Sequence, residues 1–123
     1  MLQPIESLED TCSGRIYLVC NGPSARDFDF SNKPICGINR AYQLGKVDFT
    51  VALDPPTIIE SAFWNHDPFM IPESKSGLMK EDIKHTPIPL LWGDDWFFGL
   101  KPPFFSGFTL YTAIQVCNWM GYE

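Results

Sequence analysis

The sequence predicts an α/β domain with a mostly parallel β-sheet, and three features of the chain support this fold class. Short, nearly continuous apolar runs rich in β-forming residues occur early in the chain, as is typical of strands buried on both faces of a sheet. Segments with helical spacing alternate with these runs. The chain has 123 residues, of which 45% are apolar, so it is long enough for one core but not for two. We therefore expect a single domain over residues 1–123.

Three strands are predicted in the first half of the chain. They cover residues 15–20, 34–39 and 47–54. The first run is ended by an Asn-Gly-Pro turn, and the third by Pro55-Pro56, because proline cannot donate a hydrogen bond to a strand ladder. Shorter apolar runs at 69–71 and 88–92 predict further short strands.

Helices are predicted between the strands and near the end of the chain. Residues 40–45 fit a short helix that ends at a glycine, and residues 57–65 fit another. The clearest helix follows Ser106 and ends before Gly121, with an apolar face at helical spacing. That face comprises Leu110, Ala113, Ile114, Cys117 and Met120, widened by Phe108, Val116 and Trp119. Residues 1–14 predict a polar lead-in, 73–86 an exposed excursion and 93–103 a loop.

The last predicted helix has no strand after it, although helices that are this apolar normally pack on a sheet and lead into the next strand. We therefore expect a Rossmann-like three-layer α/β domain with a mostly parallel sheet that is incomplete at its C-terminus. The chain would then be a fragment or a curtailed gene product.

Charge and hydropathy exclude several classes of partner. The net charge is −6 and the nine basic residues are scattered, which argues against binding to nucleic acid or to an anionic membrane. The N-terminus has neither the basic region nor the apolar run of a signal peptide. No segment approaches the roughly 20 apolar residues that a membrane span needs. We therefore expect a cytoplasmic protein with no membrane span.

The cysteines and histidines show no spacing typical of a metal site. The four cysteines are Cys12, Cys20, Cys36 and Cys117, and none forms a Cys-x-x-Cys pair. Cys20 and Cys36 lie in apolar runs, where we expect them to serve as small buried hydrophobic residues. His66 and His85 are isolated, and we expect both at the surface. The sequence therefore predicts free thiols in a reducing compartment and no metal site.

Polar residues follow each of the first three predicted strands. They are Asn21, Gly22, Pro23 and Ser24 after the first strand, Asn39 at the end of the second, and Asp54 at the end of the third. Ligands of open α/β sheets bind beyond the carboxyl ends of the strands, which share one edge. Gly22 lets a ligand approach the backbone closely, Ser24 offers a hydroxyl, and the Asn21 amide can both donate and accept.

A fourth polar feature, Ser106-Gly107, precedes the last helix, where its N–H groups are suited to hold a phosphate. Each feature also has a purely structural interpretation. Residues 21–24 form an ordinary turn signal, Asn39 and Ser106 are good helix N-caps, and Asp54 can initiate a turn before Pro55. Convergence of all four on one sheet edge favours a nucleotide site. Neither a P-loop nor the G-x-G-x-x-G fingerprint is present.

Several short motifs resemble the opening of the bacterial lipooligosaccharide sialyltransferases. They are VCNGPS at 19–24, DFDFS at 27–31, GINRAY at 37–42, and FSGF at 105–108 before an apolar helix that ends in MGY at 120–122. The order matches that family. The pattern also resembles a wider group related to the archaeal 6-hydroxymethylpterin pyrophosphokinase, in which a strand ends in Asp-Pro, as Asp54-Pro55 does here. Residues 60–100 are outside the resemblance.

The resemblance implies a nucleotide or nucleotide-sugar ligand, with cytidine as the base. In the sialyltransferases, residues that match Asn21, Asn39 and Ser106 contact the cytidine monophosphate part of the donor. Carried over, residues 21–24 would line the phosphate and ribose, and Asn39 and Ser106-Gly107 would contact the nucleotide from the adjacent strand and helix. The fold implied is Rossmann-like.

Two departures from the sialyltransferase pattern affect this hypothesis. The family position that matches Asp54 is typically Asn, and an acidic residue there favours the pyrophosphokinase-like group, where a carboxylate could hold Mg²⁺. The family's catalytic base is a His beyond the Ser-Gly helix, and neither His66 nor His85 matches it. We therefore assign no catalytic residue from the sequence.

The sequence leaves three functional hypotheses. The leading one is the nucleotide-sugar-binding domain of a sialyltransferase-like glycosyltransferase, with no cofactor. The first alternative is a Mg²⁺-dependent pterin pyrophosphokinase-like protein. The second is a non-catalytic or truncated interaction module, whose aromatic surface pairs with a second copy to form a homo-oligomer.

Overall fold

A five-stranded, all-parallel β-sheet carries the other elements of the molecule. The computed structural model describes residues 5–64, 69–72, 77–78, 85–88, 90–91, 104–105 and 109–122. The strands are β1 (Tyr17–Val19), β2 (Ile35–Ile38), β3 (Phe49–Val51), β4 (Phe69–Pro72) and β5 (His85–Ile88). They pair in the order β1-β2-β3-β4-β5. The predicted α/β class with a parallel sheet is confirmed.

Short helical elements connect these strands. The connection from β1 to β2 contains a 3₁₀ helix at Pro23–Asp27, and that from β2 to β3 contains one at Asn39–Gln43. Helix α1 (Pro55–Trp64) follows β3, and its initial prolines suit a first turn whose N–H groups have no helical partner. Two-residue strands β6 (Leu90–Leu91) and β7 (Phe104–Phe105) pair in a separate parallel sheet, and α2 (Thr109–Met120) follows.

The order of the five strands bears on the Rossmann-like part of the prediction. In the doubly wound dinucleotide-binding order, the fourth strand lies beside the first, and the reversal creates the ligand crevice. Here β4 pairs with β3, and the five strands follow one another in chain order. This order leaves β1 at an edge. The parallel α/β class is therefore shown, whereas the Rossmann-like assignment stays a prediction.

Side chains of the strands alternate between two packed faces. Cys36 and Ile38 of β2 belong to the cluster beneath α2, while Ile35 packs on the opposite face with the two 3₁₀ helices. The β4 strand alternates in the same way, because Met70 joins the α2 side and its neighbours Phe69 and Ile71 pack with α1 residue Ile58. Burial on both faces explains the continuous apolar runs of these strands.

Helix α2 buries a face that is rotated from the predicted one. Val116, Cys117 and Met120 are buried in the core as expected. Leu110 and Ile114 are instead 41% and 48% exposed, so their assignment to the buried face is wrong. The helix lies against β1, β2 and β3, and this docking selects one of several apolar stripes on a helix that is apolar around most of its circumference.

The N-terminal segment is part of the core rather than a polar lead-in. A 3₁₀ helix at Ile5–Leu8 buries Ile5 in the cluster with α2. Two backbone amides of this segment reach the end of α2: Asp10 N–H donates to the Trp119 carbonyl (3.0 Å) and Cys12 N–H to the Met120 carbonyl (2.7 Å). These bonds supply partners for terminal helix carbonyls that have none within the helix.

Two further expectations about burial are wrong. His85 is only 6% exposed because it begins β5, so the exposed excursion predicted over 73–86 does not extend to its last two residues. Cys20 is exposed because the strand ends at Val19, whereas Cys36 is buried as expected. His66 lies outside the described residues. Within the ranges that the structure describes, no helix has the length and hydropathy to cross a bilayer.

Gly121 ends α2 in a conformation that only glycine adopts easily, with φ of 107°. A Cβ there would collide with the backbone carbonyl oxygen of Cys12, whereas a Cβ at Gly14, whose φ is 82°, would meet no atom within 4 Å. We expect Gly14→Ala to lower the free energy of unfolding by about 1 kcal/mol, the backbone cost alone. Gly121→Ala should lower it by about 2 kcal/mol more, because the N-terminal segment must move.

Urea denaturation of both variants and the parent protein measures this difference. Gly14→Ala is the matched control for the effect of positive φ. Equal losses of stability in the two variants would show that the contact between Gly121 and Cys12 contributes nothing.

Candidate functional site

The carboxyl ends of β1, β2 and β3 form one edge of the sheet. Because the three strands are adjacent and parallel, the segments that follow them leave the sheet side by side, about 10 Å apart from first to last. These segments contain Asn21 to Ser24, Asn39 and Asp54. The predicted positions therefore share one edge, which we call the strand-end site.

The loop after β1 is open to solvent. Asn21, Gly22, Pro23 and Ser24 are all exposed. Gly22 has an extended backbone (φ −73°, ψ 169°) and its carbonyl accepts from Ala25 N–H at 3.0 Å. A Cβ at position 22 would have nothing within 4 Å. Since neither the backbone nor packing requires glycine there, its missing side chain leaves the main chain accessible to a ligand.

The chain between this loop and β2 is fixed by a small polar network. Asp29 Oδ1 accepts from both the amide (2.9 Å) and the hydroxyl (2.6 Å) of Ser31. Lys33 Nζ lies 3.9 Å from Asp29 Oδ2 and 5.0 Å from the ring centroid of Phe28. The Ser31 hydrogen bonds, with a smaller effect of Lys33, lower the pKa of Asp29. The DFDFS segment thus has a structural role in the connection from β1 to β2.

Asn39 has the most unusual environment at this edge. Its φ is +56°, in the left-handed region that asparagine tolerates better than most residues. Its side-chain oxygen Oδ1 is buried and has no hydrogen-bond partner. The N-cap interpretation is wrong, because Ile38 occupies the N-cap position of the 3₁₀ helix and Asn39 is its first residue. Asn39 therefore combines backbone strain with an unsatisfied buried acceptor.

Tyr42 is a second candidate that the sequence-based site did not include. Its hydroxyl is buried without a partner, and its ring packs against the cluster that contains Val19, Ala25 and Ala41. Tyr42 lies three residues after Asn39 in the same 3₁₀ helix. The signal in the sequence that could have found Tyr42 is its place in the GINRAY motif at 37–42, close to Asn39.

Asp54 lies at the same edge but in a different environment. It is exposed and immediately precedes α1, and its carbonyl accepts from Ile58 N–H at 3.0 Å. A carboxylate at this position also interacts favourably with the helix dipole. Among the residues that can be described, no group of three or more His, Cys, Asp or Glu side chains is arranged to hold a metal ion. Asp54 thus borders the strand-end site as an exposed negative charge.

Ser106 and Gly107, predicted as the fourth part of the site, lie outside the described residues. The last helix begins at Thr109. Of the four predicted polar features, the structure places the three that follow β1, β2 and β3 at one edge of the sheet.

Two asparagines with the same φ angle allow the buried acceptor to be tested by itself. Asn32 shares the φ of 56° with Asn39 but is exposed. Replacing either by glycine relieves similar backbone strain, whereas only Asn39→Gly also removes a buried, unpaired oxygen. We expect Asn39→Gly to raise the free energy of unfolding by about 1 kcal/mol relative to Asn32→Gly. Urea denaturation would contradict this if Asn39→Gly were the less stable variant.

Comparisons of the chain with models of known protein families, with curated proteins and with solved structures found no match. The resemblance to sialyltransferases and to pterin pyrophosphokinase-like proteins thus rests on the short motifs alone. What the strand-end site can do follows from its own geometry and chemistry.

Proposed function

We propose that the strand-end site binds a nucleotide, in the role of a nucleotide-sugar-binding domain of a sialyltransferase-like glycosyltransferase with a Rossmann-like fold. The observation that carries the proposal is the buried, unpaired Oδ1 of Asn39. Buried acceptors without a partner destabilise a fold by about 1–3 kcal/mol, so an unpaired one in a native protein calls for an explanation. A ligand that donates a hydrogen bond to Oδ1, after the partly buried side chain turns toward the strand-end site, supplies one.

The unpaired oxygen selects the part of the ligand that binds there. An amide oxygen accepts hydrogen bonds only, and a phosphate at neutral pH offers mainly acceptors. The group that meets Asn39 is therefore a donor, such as a ribose hydroxyl or a base amine. The unpaired hydroxyl of Tyr42, from the same 3₁₀ helix, can donate or accept. This pair fits the nucleoside part of the ligand.

The loop after β1 suits the phosphate part. The open backbone at Gly22 and the exposed Ser24 hydroxyl provide donors to a phosphate oxygen. The Asn21 amide adds a donor at the start of the same loop. The loop and Asn39 follow neighbouring strands, so one nucleotide can span both. Neutral donors of this kind can hold an anion although the protein's net charge is −6.

A binding experiment with cytidine monophosphate tests this arrangement. We expect calorimetry to detect binding to the parent protein and Asn39→Gly to weaken it at least about tenfold, the effect of losing one well-placed hydrogen bond in a buried setting. Asn21→Ala should also weaken binding, because the loop loses a side-chain donor. The variant Asn32→Gly, with the same backbone change away from the strand-end site, should bind as the parent does.

Other outcomes would overturn the proposal or redirect it. Absence of binding, or equal affinity of the parent and Asn39→Gly, would contradict a nucleotide site at Asn39. Binding of a nucleoside triphosphate that requires Mg²⁺ and is lost in Asp54→Asn would favour the pyrophosphokinase-like alternative, since a carboxylate at this edge is the natural Mg²⁺ ligand.

A further inference from the structure

A cavity of about 540 Å³ lies at the amino edge of the sheet, opposite the strand-end site. Pro34 and Asp48, which precede β2 and β3, line it on one side. The end of α2 and the N-terminal 3₁₀ helix line it on the other through Met120 and Leu8. Its volume falls within the range of about 300–1,000 Å³ that is common for small-molecule sites.

The walls of this amino-edge cavity are mainly apolar. Phe49 of β3, Met70 of β4 and Met120 of α2 line it, and each side chain is at most 6% exposed. Methionine adapts its shape easily, which suits a wall that accommodates an apolar ligand. Thr86 of β5 adds a polar group next to Met70, its pairing partner across the two strands. The interior therefore favours an apolar ligand body with few polar groups.

Asp48 places a negative charge at the mouth of the cavity. Its carboxylate Oδ2 accepts from Ile35 N–H at 2.7 Å, and its own N–H donates to the Ile35 carbonyl at 2.9 Å. These two bonds fix the residue to β2 while the side chain stays exposed. A carboxylate fixed in this way is suited to bind a cationic group, because binding costs little further side-chain conformational entropy.

Lys33, the lysine among the lining residues, has other partners than Asp48. Although Lys33 also lines the cavity, its ammonium group lies near Asp29 and over the rings of Tyr17 and Phe28, at 5.4 and 5.0 Å from their centroids. Tyr122, on the other side of the cavity, keeps its proton at neutral pH, because burial and, less strongly, hydrogen bonding to Cys12 and the charge of Asp48 raise its pKa. The polar part of the lining therefore combines the Asp48 carboxylate and the neutral Tyr122 hydroxyl with Asn32 and with Lys33, whose ammonium group lies near Asp29.

We propose that the amino-edge cavity binds a small organic amine, whose apolar body lies among Phe49, Met70 and Met120 and whose ammonium group meets Asp48. Anions are repelled by Asp48 and by the net charge of the protein. The site is separate from the nucleotide site and does not depend on it.

A set of phenyl ligands with different charges tests the proposal. Phenethylamine is cationic at neutral pH, 2-phenylethanol is its neutral counterpart of similar size, and 3-phenylpropionate is anionic. We expect phenethylamine to bind to the full chain about fivefold more tightly than 2-phenylethanol, the upper range for an ion pair that is open to solvent. The anion should bind most weakly. Calorimetry gives the affinities, and amide chemical shifts of Asp48, Phe49 and Thr86 locate the site.

Two isosteric variants separate a local charge effect from a change in net charge. Asp48→Asn keeps an oxygen that can accept from Ile35 N–H, and it should bind phenethylamine and 2-phenylethanol equally. Asp54→Asn makes the same change in net charge at the opposite edge, and it should keep the preference for the amine. Asn39→Gly should also leave amine binding unchanged, so failure of the nucleotide proposal would not affect this result.

The proposal is overturned if phenethylamine does not bind, or if it binds no more tightly than 2-phenylethanol. It is also overturned if Asp48→Asn, with a thermal midpoint that shows it to be folded, keeps the preference for the amine. A loss of preference in Asp54→Asn equal to that in Asp48→Asn would likewise count against it, since the discrimination would then come from net charge.

Discussion

The parallel pairing of β2 between β1 and β3 is the constraint on which the rest of the structure depends. All four residues of β2 are buried, and alternate side chains fill two different clusters. A shift of one residue in register would exchange Ile35 and Cys36 between these clusters, so packing on both faces fixes the register. The same pairing sets the two ends of β2, and with them the strand-end site and the amino-edge cavity.

The pairing of β2 places Asn39 where its backbone is strained and its side-chain oxygen is unpaired, and both effects lower the stability of the fold. The strand must end at Ile38, and the next residue turns the chain with a φ of +56° while its side-chain oxygen is buried without a partner. Strain and unsatisfied polar groups persist where the surrounding structure determines them strongly. Here that support comes from the packing of the 3₁₀ helix Asn39–Gln43 against β2, β3 and α1, with Ala41 buried in the core.

The sequence predicted β1 to β4 because burial on both faces gives each a continuous apolar run, whereas the first half of β5 lies in the segment predicted to be exposed. The predicted run 15–20 contains β1, and 34–39 contains β2. Predictions failed where burial depends on distant neighbours: His85 is buried by its place in β5 beside β4, and Ile114 is exposed by the way α2 docks. The sequence predicted which strand-end positions form the site. It did not predict the left-handed backbone of Asn39, because the same local sequence is compatible with several turn conformations.

The two edges of the sheet differ in the chemistry that they offer. The strand-end site presents an unpaired amide oxygen and an open loop backbone, which suit a ligand with both donor and acceptor groups. The amino edge presents a fixed carboxylate above apolar walls. A four-residue strand is about 13 Å long, so a small ligand at one edge does not reach the other. β2 leads into Asn39 at one end and holds Asp48 through Ile35 at the other, and β3 likewise runs from Asp48 toward Asp54, so the two sites share these strands without sharing a contact.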